Sequence, residues 1–182
     1  MIYCFLADGF EELEAVAPVD LLRRVDDVNV KLVSVGENEF VTSSHGFTIK
    51  CNQMIKDITL EQTLEAIILP GGMPGTLNLE KSQDVQNAID FCVKNEKLIC
   101  AICAAPSILG HKNLLEGREA ICFPGFESEL IGAKISESAV VKSANIITAK
   151  GAGVAVDFGL EIIKALKSEA VSKKIKEMIM CQ

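Results

Sequence analysis

Four stretches of the chain are apolar or nearly so: residues 2–7, 29–35, 66–69 and 98–102. Runs this short, bounded by Gly, Asp and Pro, read as strands covered on both faces and predict a mainly parallel sheet. Between and after them the period changes to that of a helix, over residues 11–24, 82–95, 154–166 and 169–180. In the second of these, Val85, Ala88, Ile89 and Cys92 fall on one stripe. Strand and helix alternate, and the order predicts an α/β, doubly wound sandwich with helices on both faces of the sheet.

Two further segments add strands. FVTSSHGFTIKC, residues 40–51, holds two β-like pieces around His45 and Gly46 and predicts an antiparallel ribbon added to the main sheet. SAVVKSANIITAKGAG, residues 138–153, predicts two strands joined at residues 143–145. Ligands of such folds bind at the carboxyl ends of the strands. Those ends read ADGFEE, PGGMPG and CAAP, so three loops are expected to meet at one edge.

The 182 residues suit one domain spanning 1–182, with no repeat, low-complexity segment or linker. A net charge of -7 argues against nucleic acid or an anionic membrane as partner, since both need clustered cations. Lys173, Lys174 and Lys176 do cluster, but among Glu169 and Glu177, as a solvated helix face. The N-terminal MIYCFLA is too short for a signal sequence, and no apolar run approaches the ~18 residues of a membrane span, which predicts a cytoplasmic protein. Seven cysteines, mostly inside apolar runs, fit a reducing compartment better than a disulfide framework.

One cysteine stands apart. Cys103 follows the strand at 98–102 and precedes a helix beginning near Ala105. Backbone N–H groups at such a bend favour a thiolate, and the small neighbours Ala101, Ala104 and Ala105 suit a strand–nucleophile–helix turn. A buried core cysteine closing a strand fits the spacing equally well. Cys100 and Cys103 form C-x-x-C, yet three extended residues separate their Cα atoms by ~10 Å and aim them at opposite faces, against a disulfide. No second ligand pair exists at a spacing that suits zinc, so neither metal nor cofactor is expected.

Of Glu11, Glu12 and Glu14, the first two read as ordinary first-turn carboxylates. Glu14 is followed by Ala-Val-Ala and then Pro18, whose missing N–H predicts a kink or helix start nearby. An apolar setting would raise its pKa and let it donate a proton to a thiolate or oxyanion. Gly71 and Gly72, in PGGMPG, allow a turn that brings backbone N–H groups to a bound oxygen. His111 reads as a helix-end residue, and His45 as a turn residue that could overhang the edge carrying Cys103.

Taken together, ADGFEELEAVAPVDLLRR, PGGMPG, AICAAPSIL and TAKGAGVAVDFGLEII resemble the ThiJ/PfpI superfamily, nearest its parkinsonism-associated deglycase (DJ-one) branch. The resemblance covers residues 1–175 and implies a flavodoxin-like sandwich, a homodimer and one oxidation-sensitive cysteine at an elbow. It makes Cys103 the nucleophile, Glu14 the protonated acid beside it, and the N–H groups of Gly72 and Ala104 the oxyanion pocket. His45 falls near a basic residue that relatives place by the cysteine. Two positions depart from the pattern: Ala104 stands where peptidase-type members carry histidine, and Phe123 where human-like members do. The first argues against proteolysis, and the second leaves acid–base duty to Glu14. The function implied is glutathione-independent handling of α-oxoaldehydes such as methylglyoxal, of glyoxalase or deglycase type. A redox-responsive protective protein or chaperone without turnover is the alternative.

Overall fold

The structure is a computed structural model and describes residues 1–181. In chain order its first half contains β1 (Ile2–Leu6), α1 (Glu12–Arg23), β2 (Val30–Ser34), β3 (Phe40–Thr42), β4 (Thr48–Lys50), β5 (Gln53–Met54) and β6 (Ala66–Leu69). There follow α2 (Gly75–Lys81), α3 (Gln83–Lys94), β7 (Leu98–Ile102), α4 (Pro106–His111), β8 (Glu119–Ala120) and β9 (Lys134–Ile135). The chain closes with β10 (Val140–Ser143), β11 (Ile146–Ala149), α5 (Ala155–Leu166) and α6 (Glu169–Met178).

Seven strands form the central sheet in the order β10-β11-β7-β6-β1-β2-β5, parallel throughout except for the β10–β11 pair. Each central strand is buried on both faces, so successive side chains divide between two cores. Ile2, Cys4 and Leu6 pack with Ile68, Cys100 and Ile102 under α1, α5 and α6. Tyr3, Phe5, Ile67, Leu69 and Ala101 pack under α3 and α4. A one-residue slip would exchange the two sets, so this burial fixes the register. In that register Cys4, Ile68, Cys100 and Ile147 lie side by side, and the four strands end nearly level. Because α1 leaves β1 for one face while α2 and α3 leave β6 for the other, a crevice opens at the carboxyl ends between them.

Helix α1 starts at Glu12 and runs through Pro18. It lies close against α5: a Cβ placed on Gly159 would come within 2.9 Å of the Pro18 Cα. Only glycine allows that approach. Helix α3 starts where its pattern indicated, with the Ser82 hydroxyl accepting the Val85 N–H at 3.4 Å, and all four residues of its stripe are buried.

The ribbon at residues 40–51 corrects an expectation. Strands β3 and β4 pair only with each other, and the main sheet gains β5 instead, through β2. The ribbon's outward hydrogen bonds go to the loop after β1: Gly9 N–H to Thr42 C=O and Ser44 N–H to Phe10 C=O, each 2.8 Å. It therefore folds over the start of α1, where only Val41 of β3 is buried. Helix α2 and the short pair β8–β9 carried no periodic signal and were not anticipated.

Candidate active site

Three of the level strand ends supply the site directly. Strand β7 ends at Ile102, and Cys103 adopts φ +64°, a left-handed conformation that costs a non-glycine residue about 1–2 kcal/mol. Two backbone bonds hold it there: Cys103 N–H donates to Ala149 C=O at 2.9 Å, and Phe123 N–H donates to Cys103 C=O at 2.8 Å. The thiol is half-buried, while Cys4, Cys51, Cys92, Cys100 and Cys122 are buried.

Glu14, 1% exposed, reaches this bend from the first turn of α1 and shares a hydrogen bond with the Cys103 thiol. Gly71 N–H donates to Glu14 Oε2 at 2.8 Å, and the Ala152 N–H also serves the carboxyl. The PGGMPG loop is glycine-rich here for want of space. A Cβ on Gly71 would lie 2.6 Å from the Cys103 Cβ and 2.7 Å from Glu14 Oε2. The sulfur in turn receives the N–H groups of Gly72 and Ala104.

Burial pushes the Glu14 carboxyl from 4.5 up to about 7, despite the bonds from Cys103 and Gly71 that favour its charge. Burial, and then the charge of Glu14, push the Cys103 thiol up to about 12. The N–H groups of Gly72 and Ala104 pull the other way and are outweighed. The expectation of a thiolate favoured simply by its place at a helix start is thereby corrected. Two negative charges repel strongly at this site, so the pair gives up its first proton far more readily than its second. Between the two losses one charge and one proton are divided between sulfur and carboxyl. In the tautomer with the proton on Glu14, the sulfur is a thiolate facing two N–H donors.

The other candidate residues fall into place around this pair. Gly72 and Ala104 present N–H groups at the sulfur, whereas the Gly71 N–H is taken by Glu14. His45 does not join them: it is exposed at the ribbon turn, with Nδ1 3.0 Å from Glu12 Oε1 and 3.5 Å from Glu11 Oε2. Its hydrogen bond to Glu12 raises its pKa. Glu11, Glu12 and His45 form the one cluster among the described residues whose ligand atoms come within 4.8 Å of one another. His111 lies between Glu80 of α2 and Glu129, with Nε2 2.9 Å from Glu129 Oε2.

Sequence reasoning missed the fourth loop, KGAG after β11. A Cβ on Gly151 would lie 3.2 Å from Phe123 Cδ2 and 4.0 Å from Glu14 Oε1, and Ala152 supplies an N–H to the same carboxyl. The signal was the position of this loop at the end of a strand adjoining β7. Together with Phe123 and Pro124 it lines a recess of about 340 Å³ beside the pair. A larger recess, about 470 Å³, lies along α5 and α6, where Lys164, Lys173 and Lys176 are interspersed with Asp157, Glu161 and Glu169. The hydroxyl lining it, Ser172, already donates to Leu160 C=O, and nothing there converges as the Cys103 surroundings do.

A strand that hands its thiol to a left-handed bend, with a buried acid bonded to the sulfur, defines a class of α/β proteins organised around an elbow cysteine. Comparison with known proteins gives the family within that class. The DJ-1/PfpI family model matches residues 1–165, and the chain belongs to this family. It is 31% identical over 174 residues to the Parkinson disease protein 7 homolog of Danio rerio, covering 94% of this chain and 92% of that protein. Against protein DJ-1 homolog A of Arabidopsis thaliana it is 32% identical over 178 residues, 96% of this chain but 45% of the plant protein, so it spans less than half of that relative. The structure described as Toxoplasma gondii DJ-1, oxidized, superposes with a TM-score of 0.93 at 32% identity, covering 98% of this chain and 97% of that one.

Proposed function

We propose that the protein converts α-oxoaldehydes such as methylglyoxal to hydroxy acids without glutathione. The observation that carries this reading is a buried Glu14 carboxyl set against the Cys103 sulfur at the bend, with the Gly72 and Ala104 N–H groups beside that sulfur. In the proposed reaction the Cys103 thiolate adds to the aldehyde carbon, forming a C–S bond and an alkoxide held by those N–H groups. Glu14 protonates that oxygen. The resulting carboxylate removes the C–H proton, giving an enediolate, and returns that proton to the former ketone carbon, while the hydroxyl proton on the sulfur-bearing carbon passes to the neighbouring alkoxide. The aldehyde carbon is thereby oxidised to a thioester while the ketone is reduced to an alcohol, with no outside oxidant. Water cleaves the thioester, releasing lactate and restoring the thiol. On an early hemiaminal adduct the thiolate would form its bond to the same carbon as the C–N bond breaks and the amine leaves with a proton from Glu14, giving the same hemithioacetal and hence deglycation.

The test is lactate formation from methylglyoxal with glutathione absent. Wild type should turn over, Cys103→Ser should be inactive, and Glu14→Gln should fall by about 10²–10⁴. Equal rates in all three would remove the assignment.

A second reading, redox sensing, draws on the partial exposure of Cys103, unlike the buried Cys4, Cys51, Cys92, Cys100 and Cys122, and on a carboxyl that keeps its proton close to neutrality, able to donate to a sulfinate. Peroxide would oxidise the thiolate to sulfenate and a second equivalent to sulfinate, each releasing water. Oxidation confined to Cys103, with no aldehyde turnover in the reduced protein, would favour it.

Leu13, Val16 and Phe47 are exposed and, with Ile49, form an apolar face where α1 meets the ribbon. We propose that a second copy of the chain covers it. Leu13→Glu should turn a dimer into a monomer in sedimentation, and a monomeric wild type would exclude this.

A further inference from the structure

The recess beside the Cys103–Glu14 pair has a chemistry of its own. Phe123, Pro124 and Val154 are its apolar walls, and Gly151, Ala152 and Gly153 its bare backbone edge. Lys150 is the one charged residue of the lining and is exposed. Two contacts join this recess to Cys103 and Glu14, and a third draws its own walls together. Phe123 N–H bonds the Cys103 carbonyl, the Phe123 ring stands 3.2 Å from where a Gly151 Cβ would be, and Ala152 N–H serves Glu14. A substrate bonded to sulfur, its oxygen at the Gly72 and Ala104 N–H groups, has this wall available for the substituent on its second carbonyl.

Phe123 is 48% exposed. An aromatic ring left half in water, packed so close to a glycine that a Cβ there would crowd it, gains most from a partner that is itself apolar. Building on the α-oxoaldehyde reading above, we propose that this recess selects substrates whose oxoaldehyde carries an aromatic or branched aliphatic substituent, with Phe123 as the specificity-determining side chain. Phenylglyoxal, converted to mandelate, represents the favoured class, and glyoxal, converted to glycolate, lacks any substituent to place there.

Two measurements test this separately from the reaction itself. The first is the kcat/KM ratio of phenylglyoxal to glyoxal. The second is the ratio of Cys103 alkylation rates by the N-phenyl amide of iodoacetic acid and by iodoacetamide, read by peptide mass spectrometry. Comparing variants cancels the intrinsic reactivities. Phe123→Ala should lower both ratios about 10-fold, the low end for lost apolar contact because the recess is open, and Phe123→Leu should keep each within about 3-fold of wild type. Alkylation ratios equal in wild type and Phe123→Ala would overturn the proposal. Absence of turnover with a falling alkylation ratio would instead remove the oxoaldehyde reaction while upholding apolar selection at Phe123.

Discussion

Replacing Glu14 by Gln should stabilise the protein in alkaline solution while disabling it. In the folded state burial raises the carboxyl from 4.5 to about 7. A carboxylate raised in this way binds its proton more tightly folded than unfolded. Stability is therefore unaffected below about pH 4.5, falls as pH rises from there, and levels off above about 7. At ~1.36 kcal/mol per pH unit, the displacement from 4.5 to about 7 amounts to about 3 kcal/mol. Glutamine keeps the shape and still offers an oxygen to the Gly71 N–H, but it cannot ionise. Glu14→Gln should thus gain about 2–3 kcal/mol relative to wild type on moving from pH 5 to pH 8, a rise of about 4–12 °C in Tm for a chain of this size. Urea unfolding of both proteins at the two pH values measures it. Parallel pH dependences would refute the argument, because they would mean that Glu14 ionises in the fold as it does in water.

Other consequences follow from the packing and the charges. Gly159→Ala should destabilise by about 1–3 kcal/mol in chemical denaturation, because the new methyl meets Pro18 Cα at 2.9 Å and Leu21 Cδ1 at 2.7 Å. Gly71→Ala should fold but lose alkylation of Cys103 at neutral pH, since its methyl would displace both Cys103 and Glu14. Hydrogen bonds to Glu80 and then Glu129 raise the pKa of His111. That stabilisation is complete below about pH 6.5 and fades as pH rises through the folded-state value. His111→Asn should therefore cost about 0.5–1 kcal/mol at pH 5.5, after allowing for solvent screening of a partly exposed group, and close to nothing at pH 9.

The parts of the fold that were legible in the sequence are those governed by burial. Runs such as AIIL at Ala66–Leu69 and the Val85-Ala88-Ile89-Cys92 stripe have one physical explanation each, and the sheet and α3 follow from them. The ribbon was misplaced because local alternation shows that residues 40–51 pair with one another but does not say what the pair covers. Its partner is the loop after β1, reached through backbone bonds that leave no mark on side-chain pattern. At the site, Cys103 and Glu14 could be named from their neighbours and from family resemblance. The positive φ of Cys103 and the N–H of Ala152 could not, since both come from backbone geometry fixed by distant strands. The direction of the thiol's pKa was missed for a related reason. A helix start is visible in sequence, but the burial of the sulfur and the nearness of the Glu14 charge, which outweigh it, arise only when the loops close over the sheet edge.

The proposed chemistry depends on Cys103 and Glu14 acting as one titrating unit. The most direct measurement is the rate of Cys103 alkylation by iodoacetamide from pH 5 to pH 10, in wild type and Glu14→Gln, followed at that residue by peptide mass spectrometry. A shared proton gives wild type a rise with its midpoint near 7 and a plateau beyond, because the thiolate fraction is constant once the first proton has left. In Glu14→Gln that midpoint should vanish. A wild-type rate that climbs without inflection past pH 9, or a profile unchanged by Glu14→Gln, would contradict the account.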